Sequence, residues 1–274
     1  MDIRLDEGFL FGMGAFETIA VEKGKPILLE KHLERLEQAA DFFKLGSCSE
    51  RGLSRERVLS YLAGQGSKFT DHGVLKIVCS AENLFFQMRT NTYSEEDYAK
   101  GFVADISKVR RNETSPLVYH KTLNYGDCIL EKRAAAAAGI NEKVFVNTKG
   151  QISEGTVSNI FFVRKNMIYT PQLSCGLLPG ILREYVMSKF SVVETIIYPD
   201  ELMYYEECFV TNSLMGVMPV KQLGNICFPH RTRAEEVRNT YESEKNVLIT
   251  GHFFFAEKGR CCIENVFKRT QKSS

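Results

Sequence analysis

Several features that would assign a simple function class are missing. Charge of one sign is the first. Lys+Arg of 35 against Asp+Glu of 34 leaves a formal net charge of +1, so no global field draws the chain to nucleic acid or an anionic membrane, and the expected ligand is a small molecule. Long apolar runs are also absent: none approaches the roughly 20 residues of a membrane span. The opening MDIRLDEGF has no basic stretch followed by an apolar one, so a soluble cytoplasmic protein is expected. Metal-ligand spacing is missing too. The eight cysteines include no CxxC pair, and His32, His72, His120, His230 and His252 show no HxxxH or HExxH spacing. Cys48, Cys79, Cys128, Cys175, Cys208 and Cys227 are scattered and read as small apolar side chains of a reducing compartment, with Cys261-Cys262 the only close pair. Gly12-Met13-Gly14 lacks the third glycine of a dinucleotide-binding turn, and there is no GxSxG or Walker loop, no internal repeat and no low-complexity tract.

What is present forms a core. With 274 residues, 44% of them hydrophobic, the chain can fill one large or two ordinary domains, and two are expected. Strand patterning over 18–21 passes through Glu22-Lys23-Gly24-Lys25 to a helix over 29–44, whose apolar stripe is Leu29, Leu33, Leu36, Ala40 and Phe43. A second helix is expected over 54–62, and strands over 74–79, 84–89 and 102–106; the run ENLFFQ belongs to that strand pattern. The polar segment 110–116, ending in Pro116, reads as a linker between a first domain, 1–109, and a second, 117–245, with 246–274 as an extra tail. In the second domain a helix is expected over 127–138, where five consecutive alanines favour helix formation and close packing and Gly139 supplies a left-handed cap. Hairpins follow, 144–147 with 151–152 and 158–163 with 167–170. A glycine-rich turn, 175–180, opens a helix over 181–190, and a short strand over 207–210 leads into Thr211-Asn212-Ser213. The sum is an α+β fold.

Within "GQISEGTVSNIFFV", Glu154 stands among strand-forming apolar residues with no basic neighbour. A carboxylate carried into such surroundings needs a cation or a good donor from elsewhere in the fold or from a ligand. Lys121, in "VYHKTLNYGD", stands just before the alanine-rich helix with Tyr119 and Tyr125 nearby. A lysine is ordinarily solvated, but burial or a neighbouring cation turns it into a nucleophile toward carbonyls, most commonly the aldehyde of pyridoxal phosphate; a buried acid opposite the pyridine nitrogen is then required. A phosphorylated cofactor also needs an anion site. Leu178-Pro179-Gly180 running into Ile181 and Leu182 offers free N–H groups at a helix start. Arg35 lies about 120° from the centre of its helix's apolar stripe, either exposed or reaching inward as a bidentate phosphate ligand. Asn212 and Ser213 offer an amide and a hydroxyl, or ordinary turn chemistry.

Taken together these residues resemble the class IV aminotransferases, the pyridoxal-phosphate enzymes of fold-type IV. The likeness runs from about Gly8 to Glu244 through "FGMGAFETI", "HLERL", "KTLNY", "ISEGTVSNIFFV", "GLLPGILRE" and "TNSLMGVMPV", in the family's order. The resemblance implies two α/β domains with the active site between them, pyridoxal 5'-phosphate as cofactor and a homodimer. By it, Lys121 matches the lysine that holds the cofactor, Glu154 the acid at the ring nitrogen, Arg35 the phosphate arginine, Ile181 and Leu182 the backbone phosphate cradle, and Ser213 the phosphate-side hydroxyl. "NSLMGVMPV" is similar to the family's lyases acting on 4-amino-4-deoxychorismate, with D- or branched-chain-amino-acid transamination as the alternative. Met13 replaces the Asp usual between the two glycines, and "VCSAEN" lacks the Arg-Gly that many relatives carry after that strand, so Arg89 is the substitute candidate for binding substrate carboxylate, with Tyr125 also near the substrate.

Overall fold

Two sheets organise the chain, and alternation along their strands decides which side chains meet. The computed structural model describes residues 3–250. A short helix, α1 (Glu7–Phe11), is capped by the Asp6 carboxylate and closed by Gly12 at φ 70°. Gly12-Met13-Gly14 is therefore a helix stop followed by a strand start, a helix that the sequence did not signal. The strand expected over 18–21 is longer, β1 (Gly14–Glu22). With β2 (Lys25–Pro26), β3 (His72–Ser80) and β4 (Leu84–Thr90) it forms an antiparallel sheet in the order β2-β1-β3-β4.

One face of this sheet, through Ala15, Ile19, Leu75 and Ile77, packs on Leu29, Leu36 and Ala40 of α2 (Leu29–Phe43) and on Val58 and Leu62 of α3 (Arg55–Ala63). Ser54 caps α3 by accepting from the Arg57 N–H. The opposite face bears Phe16, Thr18, Lys76 and Arg89, which register opposite or beside one another on the pleat. A short helix, α4 (Ser67–Thr70), packs on this sheet, and a second, α5 (Glu95–Lys100), leads from it towards the second sheet.

The second sheet is mixed and has nine strands. It is built from β5 (Phe102–Arg111), β6 (Glu142–Asn147), β7 (Ile152–Gly155), β8 (Asn159–Arg164), β9 (Met167–Pro171), β10 (Val192–Thr195), β11 (Glu207–Asn212) and β12 (Gly216–Leu223), in the order β10-β9-β8-β11-β12-β5-β6-β7, with β13 (Ile226–Cys227) paired to β12. Both expected hairpins form, β6 with β7 and β8 with β9. Its strands read as near-continuous apolar runs because helices cover them: α7 (Ile181–Lys189) and α8 (Thr232–Thr250) pack on Phe161, Phe209 and Val217.

Three boundaries differ from expectation. β5 runs on to Arg111, pairing Arg110 with Val146 and Arg111 with Asn147, so the segment expected as a 110–116 linker begins inside a strand, and 102–111 is hydrogen-bonded into the second sheet. The polar residues there mark a strand end that faces the cavity between the sheets. In α6 (Gly126–Ala137) only Cys128 and Ala135 are buried, so the alanine run forms the helix but is not packed away within this chain. α8 continues to Thr250, so 246–250, expected to begin the tail, are helical; the rest of that tail lies outside the described residues. No described helix is long and apolar enough to cross a membrane.

Candidate active site

A cavity of about 910 Å³ opens between the two sheets, and Arg35, Arg89, Lys121, Tyr125, Glu154, Ile181, Leu182, Asn212 and Ser213 all line it. Residues up to 178 positions apart in sequence thus meet at one place.

Lys121 is delivered by a short 3-10 turn at Pro116–Tyr119 and tied to β1: its carbonyl accepts from the Phe16 N–H at 2.9 Å, and Thr122 bridges to Ala15. Its Nζ lies 4.6 Å from the Phe16 ring centre and 5.1 Å from that of Tyr125, rings that meet edge-on. Removal from bulk water, helped by the nearby Arg35 guanidinium, lowers its amine to about 8. The Tyr125 hydroxyl donates to the Thr156 carbonyl at 3.1 Å, so this side chain walls the lysine with its ring and spends its polar end on the backbone.

The buried Glu154 accepts from Arg111 Nη2 at 2.5 Å and from the Leu178 N–H at 3.0 Å. Arg111 is the partner that its own stretch of sequence lacks, and it comes from the strand end that read as a linker. Burial still pushes the Glu154 carboxyl above its usual range, against the pull of Arg111 and Leu178. The acid has room in its electrostatics for one more positive neighbour.

Arg35 reaches inward. Its Nε and Nη2 grip Glu17 at 2.7 and 2.8 Å, and its Nη1 donates to the Pro179 carbonyl at 3.3 Å, joining α2 to the turn before α7. Glu17 is fully buried and also bonds His32 Nδ1 at 2.6 Å. Burial alone would raise its carboxyl, but Arg35 and His32 outweigh that and hold it well below the carboxylate range. Burial keeps His32 below its ordinary value, hence neutral near pH 7.

At the start of α7, Gly180 supplies no side-chain cap, leaving the first-turn N–H groups beside Ile181 and Leu182 for a ligand. Only glycine fits there: a Cβ at 180 would sit 2.0 Å from Asn159 Oδ1, while Asn159 Nδ2 fixes the Leu178 carbonyl at 2.9 Å. Next to this helix start the hydroxyl of Thr211 is buried and has no hydrogen-bond partner. Uncapped N–H groups, an inward guanidinium and an orphaned hydroxyl form an anion cradle that a phosphate suits. Ser213 lies half-buried in the same wall. Asn212 does not offer its amide: Oδ1 accepts from the Leu214 and Met215 N–H groups at 2.9 Å each, and Nδ2 donates to the Val157 carbonyl at 3.2 Å. Arg89 is exposed at the rim and donates to the Thr90 carbonyl.

Four participants went unread in the sequence: Glu17, Lys76, Arg111 and Thr211. For Glu17 in "GAFETIAV" and Lys76 in "GVLKIVCS" the signal was present, a charge inside a buried strand pattern, the same signal that singled out Glu154.

A lysine brought near neutrality, a buried acid and an anion cradle around one cavity define a site for a phosphorylated carbonyl cofactor. The chain belongs to the class IV aminotransferase family, whose model, described as amino-transferase class IV, matches residues 14–223; the family is pyridoxal-phosphate-dependent. The chain is 30% identical over 239 residues to a "Probable branched-chain-amino-acid aminotransferase" of Thermotoga maritima, covering 83% of each chain. It is 26% identical over 242 residues to the aminodeoxychorismate lyase of Bacillus subtilis, covering 81% of each. Its fold is similar to the crystal structure of 4-amino-4-deoxychorismate lyase from Pseudomonas aeruginosa, with a TM-score of 0.77 at 22% identity, over 89% of this chain and 96% of that one.

Proposed function

We propose that this chain is a pyridoxal 5'-phosphate-dependent lyase that converts 4-amino-4-deoxychorismate to 4-aminobenzoate and pyruvate, a step of folate biosynthesis, in the cytoplasm. The observation that carries the reading is a surplus of cations on the cavity wall. Arg35 and Arg111 are each paired to a buried acid, whereas Lys76, Arg89, Arg110 and Lys132, besides Lys121, line the cavity with no carboxylate partner among the described residues, and the wall's acids are Glu154 and Asp127. Such a wall suits a phosphate plus a substrate with two carboxylates; a branched-chain amino acid or D-alanine brings one.

Each residue then has a task at a stated atom. Arg35, the Ile181 and Leu182 N–H groups and the hydroxyls of Ser213 and Thr211 would hold the phosphate, and the Glu154 carboxylate would pair with the ring nitrogen. Lys121 Nζ would hold the cofactor and, as a free amine, would take the proton from the substrate carbon that bears the amine. The cofactor supplies an electron sink while bound. Lys76 and Arg89 would hold the substrate carboxylates, which fixes the ring with the enolpyruvyl ether, on the carbon next to the deprotonated one, placed to leave. Loss of that group leaves an aromatic ring, and no second substrate is needed. A homodimer accompanies this reading, supported by the exposed Phe9, Leu10 and Phe11 of α1 and Leu130 of α6.

The alternative, transamination, is favoured by the similarity to the Thermotoga relative. Supplying 4-amino-4-deoxychorismate to the purified holoenzyme and following 4-aminobenzoate fluorescence tests the lyase. No fluorescence, together with rapid glutamate formation from an amino acid and 2-oxoglutarate, replaces it with the aminotransferase.

A further inference from the structure

The loop after α2 carries Cys48, and the end of β3 carries Cys79. Their Sγ atoms are 3.2 Å apart, both side chains are buried, and 31 positions separate them in the chain. The contact is enforced from three directions. The Cys48 N–H donates to both oxygens of Glu37 on α2, at 3.2 and 3.0 Å. The Leu53 N–H closes a turn on the Cys48 carbonyl at 2.9 Å. Arg51, from the same loop, donates to the Ser80 carbonyl at 2.7 Å and to Cys79 Sγ at 3.2 Å. Among the described cysteines this is the one pair at sulfur contact; Cys128, Cys175 and Cys208 are buried apart from other thiols, and Cys227 is exposed.

The two thiols also differ. The hydrogen bond shared with Cys48 and the Arg51 guanidinium, which donates to Cys79 Sγ at 3.2 Å, favour the thiolate at Cys79 against the pull of burial. The same hydrogen bond and burial push the Cys48 thiol well above its ordinary range. The guanidinium on Cys79 Sγ marks that sulfur as the attacking thiolate, with Cys48 in contact from the start as the resolving thiol.

We infer that Cys48 and Cys79 are a reversible oxidation site, with a hydroperoxide as oxidant and a disulfide that fastens the loop after α2 onto β3 as product. Hydrogen peroxide is small enough to enter through local opening of the 48–52 turn. The Cys79 thiolate attacks one peroxide oxygen, the O–O bond breaks, and a sulfenic acid and hydroxide result. Cys48 sulfur then displaces the sulfenic oxygen as water, its proton completing the balance, so two thiols and one peroxide become one disulfide and two waters. A dithiol reductant reverses the bond. The sulfurs close only from contact to the bond length of about 2.05 Å. The site lies on the α2-facing side of the sheet, away from the cavity, so its effect is to lock the layer that carries Arg35 and Lys76.

The test uses the full chain with Cys227, Cys261 and Cys262 replaced by Ser, treated with hydrogen peroxide. The expected result is an intact mass lower by about 2 Da and a cross-linked Cys48–Cys79 peptide. A loop of this length should raise the thermal midpoint by about 5–10 °C, reversibly with dithiothreitol. Cys48→Ser and Cys79→Ser abolish both changes; should either fail to fold, peptide mapping of the parent protein decides alone. Oxygen addition at Cys79 without a cross-link, pairing with a different cysteine, or no reaction overturns the site, and a cross-link that leaves the midpoint unmoved overturns the lock.

Discussion

The two walls of the cavity are built differently. On the wall from the nine-stranded sheet and α7, polar groups arrive already anchored. Glu154 is held by Arg111 and Leu178, Asn159 by the Leu178 carbonyl and Asn212 by three backbone groups; behind them Glu142 accepts from the Thr156 N–H and the Thr156 and Ser158 hydroxyls. On the four-stranded wall, Lys76 lies against the Phe16 ring at 4.6 Å and Arg89 donates only to a backbone carbonyl. A satisfied network is rigid and holds a resident group in one pose; unpaired cations wait for charge that comes and goes. Apart from Arg35, which reaches the cradle from α2 and is held by Glu17 of β1, the first wall fits a cofactor and the second a substrate, and mutations on the two should fail in different ways.

The largest effect is expected at the junction of the walls. On the proposed mechanism Lys121→Ala removes both the attachment point and the proton carrier, so turnover should fall by about 10³-fold or more and the cofactor should no longer survive denaturation and borohydride treatment as a covalent adduct. Persistence of either ends the assignment. The amine reacts as the free base and lies at about 8, so cofactor uptake by the apoprotein should slow about tenfold per pH unit below that value and level off above it. Stability moves in the same direction: between about 8 and the lysine's ordinary 10.5 the unfolded chain binds more protons, so the protein gains stability as pH rises through that window.

Next in size is the anchored wall. Glu154→Gln keeps the shape and the Leu178 contact but withdraws the charge proposed to pair with the ring nitrogen, and kcat should drop by about 10²-fold while KM changes little. On the other wall the split reverses. Lys76→Met should raise KM by about tenfold with kcat nearly kept, since a charge-assisted contact in a half-buried place is worth about 1.5–3 kcal/mol. Arg89→Met, at the exposed rim, should raise KM by about threefold, because solvent screens it. Equal losses of kcat on both walls would erase the distinction between them.

How much of this was legible depends on where the information sits in the chain. The helix stripe from Leu29 to Phe43 and the hairpin at Arg164 to Met167 are local patterns, and they could be read. Lys121, Glu154 and the Gly180 turn stood out by the chemistry of their own stretch, whereas Arg35 was open between exposed and inward until the likeness to the family gave it a task. Arg111 did not stand out, since its value lies in a partner 43 positions away, and its polarity suggested a break in structure. The commitment of Asn212 to the backbone likewise depends on Val157, far off in sequence. Glu17 and Lys76 were legible and passed over: a charge in a strand of Ala, Phe, Ile and Val poses the same question wherever it stands.

The smallest effects separate two hydroxyls of the anchored wall. Thr211 and Ser213 both border the cradle at α7, yet Thr211 is buried without a partner, whereas Ser213 is half-buried and open to the cavity. An unsatisfied buried hydroxyl costs about 1–3 kcal/mol until an acceptor arrives. Thr211→Val keeps the shape and removes that cost, so the apoprotein should melt about 2–4 °C higher and bind pyridoxal phosphate about fivefold more weakly. Ser213→Ala should weaken binding to a similar extent and leave the apoprotein's midpoint in place, because solvent already satisfies that hydroxyl. Pyridoxal lacking its phosphate should bind both variants as it binds the parent, tying the loss to the phosphate. If Thr211→Val lowers the apoprotein's midpoint, its hydroxyl has a partner within the fold, and the cradle loses that member.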